Sequence, residues 1–217
     1  MTSVPTHDIV EAYRGLATAS VADAVEKTGE RGYLTGAIGP VLPGKLVGPA
    51  VTVLEEPCDW AEPPTLALRA IDESPAGSVL CIAAGGADVA VFGGLMAAGA
   101  VVNGIAGAVL DARVRDIEEI RRDYPQLAIY ARGGVPSTTV GRYRTVSLNE
   151  PVELGGVMVS PGDLIVADSD GVVRVPADRI VEILEIAQGI EKAEREQTQL
   201  IHESGSLLTG LAKHNRV

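Results

Sequence analysis

The chain has 217 residues and a formal charge of −11, and its aromatic residues are one Phe, one Trp and five Tyr. The length suits a single domain, read as 1–217, with room for a sizeable core. The charge repels phosphate backbones and the few aromatics offer no stacking platform, so a nucleic-acid partner is not expected.

Residues 8–28 carry apolar positions at helical spacing, broken at GLATAS. This predicts two short helices, the second starting after Thr18 or Ser20. KLVGPAVTVLEE (45–56) alternates as a strand, and PPTLALRAIDES reads as a short helix behind a proline start. GSVLCIAA (77–84) is a near-continuous apolar run of strand length. A regular order follows: GGADVAVFGGLMAAGAVVNG as a small-residue helix, IAGAVLDA as a strand, VRDIEEIRRDY as a polar-faced helix, and LAIYARGG as a strand. Strands joined by helices of this length imply parallel βαβ units. Ile117, Ile120 and Tyr124 mark the buried stripe of the polar-faced helix.

Residues 145–176 are rich in Val and punctuated by SPGD and DSDG, which predicts at least three short strands joined by turns. From Ala177 to about Glu203 the pattern is one long helix, with Ile180, Ile183, Leu184, Ala187 and Ile190 as its apolar stripe. Beyond Ile190 the sequence EKAEREQTQ has little to bury within one subunit. Packing on a neighbouring subunit and a solvated end are both open readings. No apolar run approaches the roughly 20 residues needed to cross a bilayer. A soluble, cytoplasmic protein with no membrane partner is expected.

Many familiar chemistries are excluded. His7, His202 and His214 have no zinc-ligand spacing, and neither do Cys58 and Cys81, of which Cys81 reads as a buried small hydrophobe. There is no G-x-S-x-G elbow, no phosphate-binding G-x-x-x-x-G-K-[ST] loop and no G-x-G-x-x-G fingerprint. Two stretches remain. In FGGLMAAG (92–99), paired glycines at a helix start expose amide N–H groups suited to an anion, although they would equally serve tight helix–sheet packing. In LDARVRD (110–116), Asp111 ends a buried strand and Asp116 begins a helix, at the kind of sheet edge where ligands gather. Arg113 and Arg115 share a face of the extended segment. The structural alternative is a capping box, with Asp116 as the cap and Glu119 as its partner.

GSVLCIAAGG, FGGLMAAGAVVNGIAGAVLDARVRD and GGVMVSPGDLIVADSDGVVRVP resemble the RraA-like family. That family includes the 4-hydroxy-4-methyl-2-oxoglutarate/4-carboxy-4-hydroxy-2-oxoadipate aldolases and the regulators of ribonuclease E activity. The likeness runs from SVADAVEKTG to the last helix. It implies an α/β fold of the swivelling β/β/α type, assembled as a homotrimer or hexamer, with the last helix reaching a neighbouring subunit. It further implies a class II, Mg²⁺- or Mn²⁺-dependent lyase acting on a small 2-oxo acid, by retro-aldol cleavage or oxaloacetate decarboxylation to pyruvate. Carried over by position, Arg115 would hold the substrate's carboxylate and ketone oxygens, and Asp116 the metal. The amides of Gly94, Leu95 and Met96 would receive the pyruvyl carboxylate. Glu196 or Glu194 would supply an acid across the subunit interface. One departure stands out: the aldolases carry an Asp where this chain has Gly94. Asp88, six residues earlier, is the acid the sequence offers as a substitute. A non-catalytic regulator of an RNA-processing protein is the alternative class. An older methyltransferase label used in the family is set aside for want of a donor-binding loop.

Overall fold

The computed structural model describes residues 5–214, with side chains placed to residue 211. Two helices, α1 (His7–Arg14) and α2 (Thr18–Glu26), precede a short strand β1 (Gly39–Leu42) and a long strand β2 (Leu46–Pro57). Next come α3 (Thr65–Glu73), β3 (Val79–Ala83), β4 (Ala90–Phe92), α4 (Gly94–Val102), β5 (Gly107–Asp111), β6 (Arg113–Val114), α5 (Ile117–Asp123) and β7 (Ala128–Ala131). Five strands follow: β8 (Tyr143–Leu148), β9 (Val152–Leu154), β10 (Val157–Val159), β11 (Leu164–Asp168) and β12 (Gly171–Val175). Two helices close the described chain, α6 (Ile180–Ser204) and α7 (Leu207–His214).

The main sheet runs β1-β7-β5-β3-β2-β11-β12, with β8 also pairing with β2. Strands β2, β3, β5 and β7 are mutually parallel, as the βαβ reading requires, and the remaining pairs are antiparallel. The central strands are covered on both faces, which is why they read as unbroken apolar runs. Leu80 and Ile82 of β3 face α3, α4 and α5 together with Val51, Val53, Leu110, Ala97, Ala100 and Ile120. Their neighbours Val79 and Cys81 face the β9–β10 hairpin through Val152, Leu154, Val157 and Val159. A third cluster packs α1, α2 and α6 on β11 and β12, using Ile180, Ile183, Ala187 and Ile190, with Leu184 half-buried beside them.

The turn motifs do structural work through their acids. In SPGD the buried Asp163 accepts hydrogen bonds from the Ser160 and Ala177 amides and from Arg174 Nε, which ties the turn to the start of α6. In DSDG the Asp168 carboxylate accepts from the Thr18 amide at 2.9 Å and so fixes the first turn of α2.

Two expectations are corrected, and one is sharpened. The stretch read as one small-residue helix begins as a strand: Ala90–Phe92 pairs with Arg113–Val114 before α4 starts. The segment from 145 to 176 does hold at least three short strands: β8 to β12 are five, the first of them beginning at Tyr143. The polar end of α6 is not bare, because α7 folds back on it and buries Gln197, whose Cγ would lie 2.7 Å from a Cβ on Gly210. Glu191 also accepts a hydrogen bond from the Ala17 amide at 2.7 Å, so it serves α2 within the same chain. Among the described residues no helix is long and apolar enough to cross a membrane.

Candidate active site

The site forms because two chain segments leave neighbouring parallel strands and stay side by side. β3 ends at Ala83 and β5 at Asp111, paired in register. Beyond them β4 and β6 pair in parallel, and the Arg115 amide donates to the Phe92 carbonyl at 3.0 Å. Gly93–Gly94 therefore lies against Arg115–Asp116, at the carboxyl edge of the sheet where crevices collect ligands. A third segment closes the floor. Val114 bridges to Gly134, Ala90 bridges to Thr138, and the Ala90 amide donates to the Ser137 carbonyl.

Together these segments line a pocket of about 190 Å³. Gly93, Gly94, Leu95, Met96 and Arg115 form one side, Thr138, Thr139 and Val140 another, and Pro64 and Leu68 reach in from α3 and its approach. A larger hollow of about 670 Å³ lies elsewhere, near Arg14 and Arg69. Both of those guanidinium groups are engaged within their own helices, by Glu11 and Glu73. The smaller pocket is lined by a cation, Arg115, and by a helix start, and Asp116 touches both.

Asp116 stands at the N-cap position, just before α5, but its side chain does not cap the helix. Its backbone is left-handed, with φ 59° and ψ 30°, and its side chain makes no capping bond, so the capping-box alternative fails. That conformation is uncommon outside glycine, and Asp and Asn tolerate it best. It turns the carboxylate out of its own helix and toward the next one. Asp116 Oδ2 accepts a hydrogen bond from the Gly94 amide at 3.0 Å and lies 3.5 Å from Arg115 Nε. The Gly94 amide, expected to receive a substrate carboxylate, is thus already committed. The Leu95 and Met96 amides, in the first turn of α4, have no acceptor within the helix.

The paired glycines now have a reason. A Cβ on Gly93 would lie 2.8 Å from Asp116 Oδ2 and 3.1 Å from Arg115 Nε, and one on Gly94 would lie 2.8 Å from Glu119 Oε1. Carboxylates rest directly over both α-carbons. The acid beside Gly94 is Glu119, whereas Asp88, the acid the sequence offers for that place, pairs through Oδ1 with Arg113 Nε at 2.8 Å. Asp111 is buried and pairs with Arg132, and Arg113 also donates to the Arg132 carbonyl at 2.7 Å. Both brace the strand ends behind the pocket. Glu194 and Glu196 are exposed on α6, and within one chain neither lines the Arg115 pocket.

One group escaped sequence reasoning altogether. Glu55, near the end of β2, is only 2% exposed, and its Oε2 accepts a hydrogen bond from the Thr139 hydroxyl at 2.8 Å. Its Oε1 and the hydroxyl of Ser137, the residue before the pocket's Thr138, are buried without a hydrogen-bond partner among the described residues. Burial pushes the Glu55 carboxyl up to about 7, against a smaller opposing effect of the Thr139 bond. The signal was the strand alternation itself: Val51, Val53 and Glu55 share a face, and that face is buried.

The fold and site define a mixed α/β protein with an arginine–carboxylate crevice at the edge of a parallel sheet. The RraA-like family model (Aldolase/RraA) matches residues 18–174, and the chain belongs to that family. It is 33% identical over 188 residues to a Halalkalibacterium halodurans protein provisionally named a 4-hydroxy-4-methyl-2-oxoglutarate aldolase, covering 83% of this chain and 82% of that one. It is 34% identical over 197 residues to Legionella pneumophila protein DlpA, covering 88% of this chain but only 31% of DlpA. Among solved structures, an uncharacterized Pseudomonas syringae protein superposes with a TM-score of 0.88 at 29% identity, over 98% of this chain and 97% of that one. Streptomyces coelicolor RraAS2, described as an unusual member of the RNase ES inhibitor RraA family, gives 0.81 at 28% identity, over 90% and 98%.

Proposed function

We propose that the pocket binds a small 2-oxo acid beside a divalent cation and cleaves a carbon–carbon bond to give pyruvate, by retro-aldol cleavage or by decarboxylation of oxaloacetate. The observation that carries this reading is the Asp116 carboxylate, turned away from its own helix to lie beside Arg115 and the first turn of α4. The aldolase name of the Halalkalibacterium relative supports it.

The donor set suits one kind of ion. Among the described residues no three His, Cys, Asp or Glu side chains converge as a metal cage, which does not match a closed zinc-type site. A hard carboxylate, with a second one over Gly94, matches Mg²⁺ or Mn²⁺, which keep several waters and need only one or two protein oxygens. When bound, such an ion would stabilise negative charge on the 2-oxo group as the bond breaks. Asp116 would hold it. Arg115 offers a planar fork for the substrate carboxylate, and the Leu95 and Met96 amides lie at the positive end of α4 for the same anion.

Assembly belongs to this proposal. Leu95 and Val102 are seven residues apart on α4 and are 90% and 84% exposed, an apolar stripe suited to a neighbouring subunit of a homotrimer or hexamer. Glu194 or Glu196 of α6 would then be the acid offered across the interface.

The test is turnover. Protein stripped with a chelator and refilled with Mg²⁺ or Mn²⁺ is expected to release pyruvate from oxaloacetate or from a 4-hydroxy-2-oxo diacid, and the stripped protein is not. Metal-independent release would overturn the metal role, and no release from either substrate together with recovery of an RNA-processing protein in a pull-down would place the chain with the regulators instead.

A further inference from the structure

We propose that the Thr139 hydroxyl, backed by the buried Glu55 carboxyl, is the proton-transfer pair of the Arg115 pocket. The inference rests on the 2-oxo-acid reading above and supplies the proton step that Arg115 and Asp116 do not. Thr139, itself only 5% exposed, lines the same pocket as Arg115, Leu95 and Met96, and its hydroxyl is the group the proposal brings to substrate. Glu55 lies behind it, one hydrogen bond away.

Three observations converge on this pair. A carboxyl buried to this degree with one oxygen unpaired is costly, and an apolar residue would fill the same place in β2 without that cost. Its single hydrogen bond goes to a residue of the pocket wall. Among the described residues no ion pair holds it in one state: its cross-strand partner is Thr145, and its neighbour Glu56 is exposed and lies 3.6 Å from Arg144. A carboxyl so placed, with its proton affinity raised to the neutral range by burial, can both give and take a proton at working pH.

The steps balance. In retro-aldol cleavage the substrate's C4 hydroxyl gives its proton to the Thr139 oxygen as Thr139 passes its own to the Glu55 carboxylate. The C3–C4 bond breaks, and its electron pair moves into the enolate of the 2-oxo acid. The enolate then takes a proton at C3 from Thr139, which is refilled from Glu55, so Glu55 returns to its starting carboxylate. In decarboxylation only the second half is needed, and Glu55 is reprotonated from water.

Proton transfer can be read apart from bond cleavage by following deuterium entry into the pyruvate methyl group in ²H₂O by ¹H NMR, with Mg²⁺-loaded protein. Glu55→Gln and Thr139→Val are expected to slow exchange by about 100-fold, and Thr139→Ser to restore most of it. Oxalate affinity should stay near wild type in all three, and the inflection near neutral pH should vanish from the Glu55→Gln rate profile. Wild-type exchange rates and an unchanged pH profile in Glu55→Gln would overturn the relay while leaving the 2-oxo-acid reading intact. Absence of both exchange and turnover in the wild-type protein would overturn the reading itself. A second readout needs no turnover: the infrared carboxyl band lost in Glu55→Gln should shift its titration when oxalate and Mg²⁺ enter. A band indifferent to them counts against the relay.

Discussion

Asp116→Asn is expected to lose pyruvate release by about 100-fold or more while folding normally, because on the proposed reading it removes the hard anionic ligand of the metal and little else. Asparagine is the informative replacement here. It tolerates the left-handed backbone at position 116 and can still accept the Gly94 amide hydrogen bond, so the junction between β6 and α5 survives. Alanine would add backbone strain of about 1 kcal/mol and release the start of α4, which mixes structural and chemical losses. The check is a pair of measurements on one preparation: turnover with saturating Mg²⁺, and the thermal midpoint. Loss of turnover with an unchanged midpoint assigns Asp116 to the chemistry. Turnover that survives in Asp116→Asn removes it from the site.

The second large effect concerns stability, and its sign is opposite to the usual one for an ion-paired acid. The Glu55 carboxyl is raised from an ordinary 4.5 to about 7 by burial in the folded chain. Between those values the folded state holds a proton that the unfolded state has released, so stability falls as pH rises. The favourable contribution is fully present below about pH 4.5 and is lost as the pH passes through about 7. The swing is about 3 kcal/mol. Glu55→Gln, which cannot ionise, is expected to be more stable than wild type above neutrality by up to about that amount, and to flatten this part of the pH–stability curve. Denaturant midpoints between pH 5 and 9 check it, and parallel curves for the two proteins would refute it. Taken with the proton relay, one substitution should raise stability and lower turnover together, the trade that a destabilised functional group predicts.

Much of this architecture is legible in the residues. GSVLCIAA and IAGAVLDA are uninterrupted because both faces of β3 and β5 are covered, and the alternation of Leu80 and Ile82 with Val79 and Cys81 onto opposite clusters is the physical reason. The V-R-D segment also marked the crevice. The pairing of Ala90–Phe92 with Arg113–Val114 was not legible, since strands of three and two residues carry no period to detect. That short pairing nevertheless brings Gly94 to Asp116. The capping-box reading of Asp116 and Glu119 failed because the pattern assumes extended backbone at the cap, whereas Asp116 is left-handed. The two glycines were ambiguous between anion binding and tight packing. Gly99 does pack closely, 3.4 Å from Ile71 to its would-be Cβ, while Gly93 and Gly94 make room for carboxylates. Glu55 could have been found, because a charged residue continuing a buried alternation is a signal in itself.

The most direct test of the central claim is whether Arg115 and Asp116 form one site for a 2-oxo acid and a divalent ion together. Titration calorimetry with oxalate, a planar mimic of the pyruvate enolate, reads this without turnover. Oxalate is expected to bind the wild-type protein about tenfold or more tighter with Mg²⁺ present, and Mg²⁺ to bind equally more tightly with oxalate, as linkage requires. Asp116→Asn should abolish that coupling, and Arg115→Lys should weaken oxalate binding in either condition. Oxalate binding that ignores both Mg²⁺ and residue 116 would contradict the account.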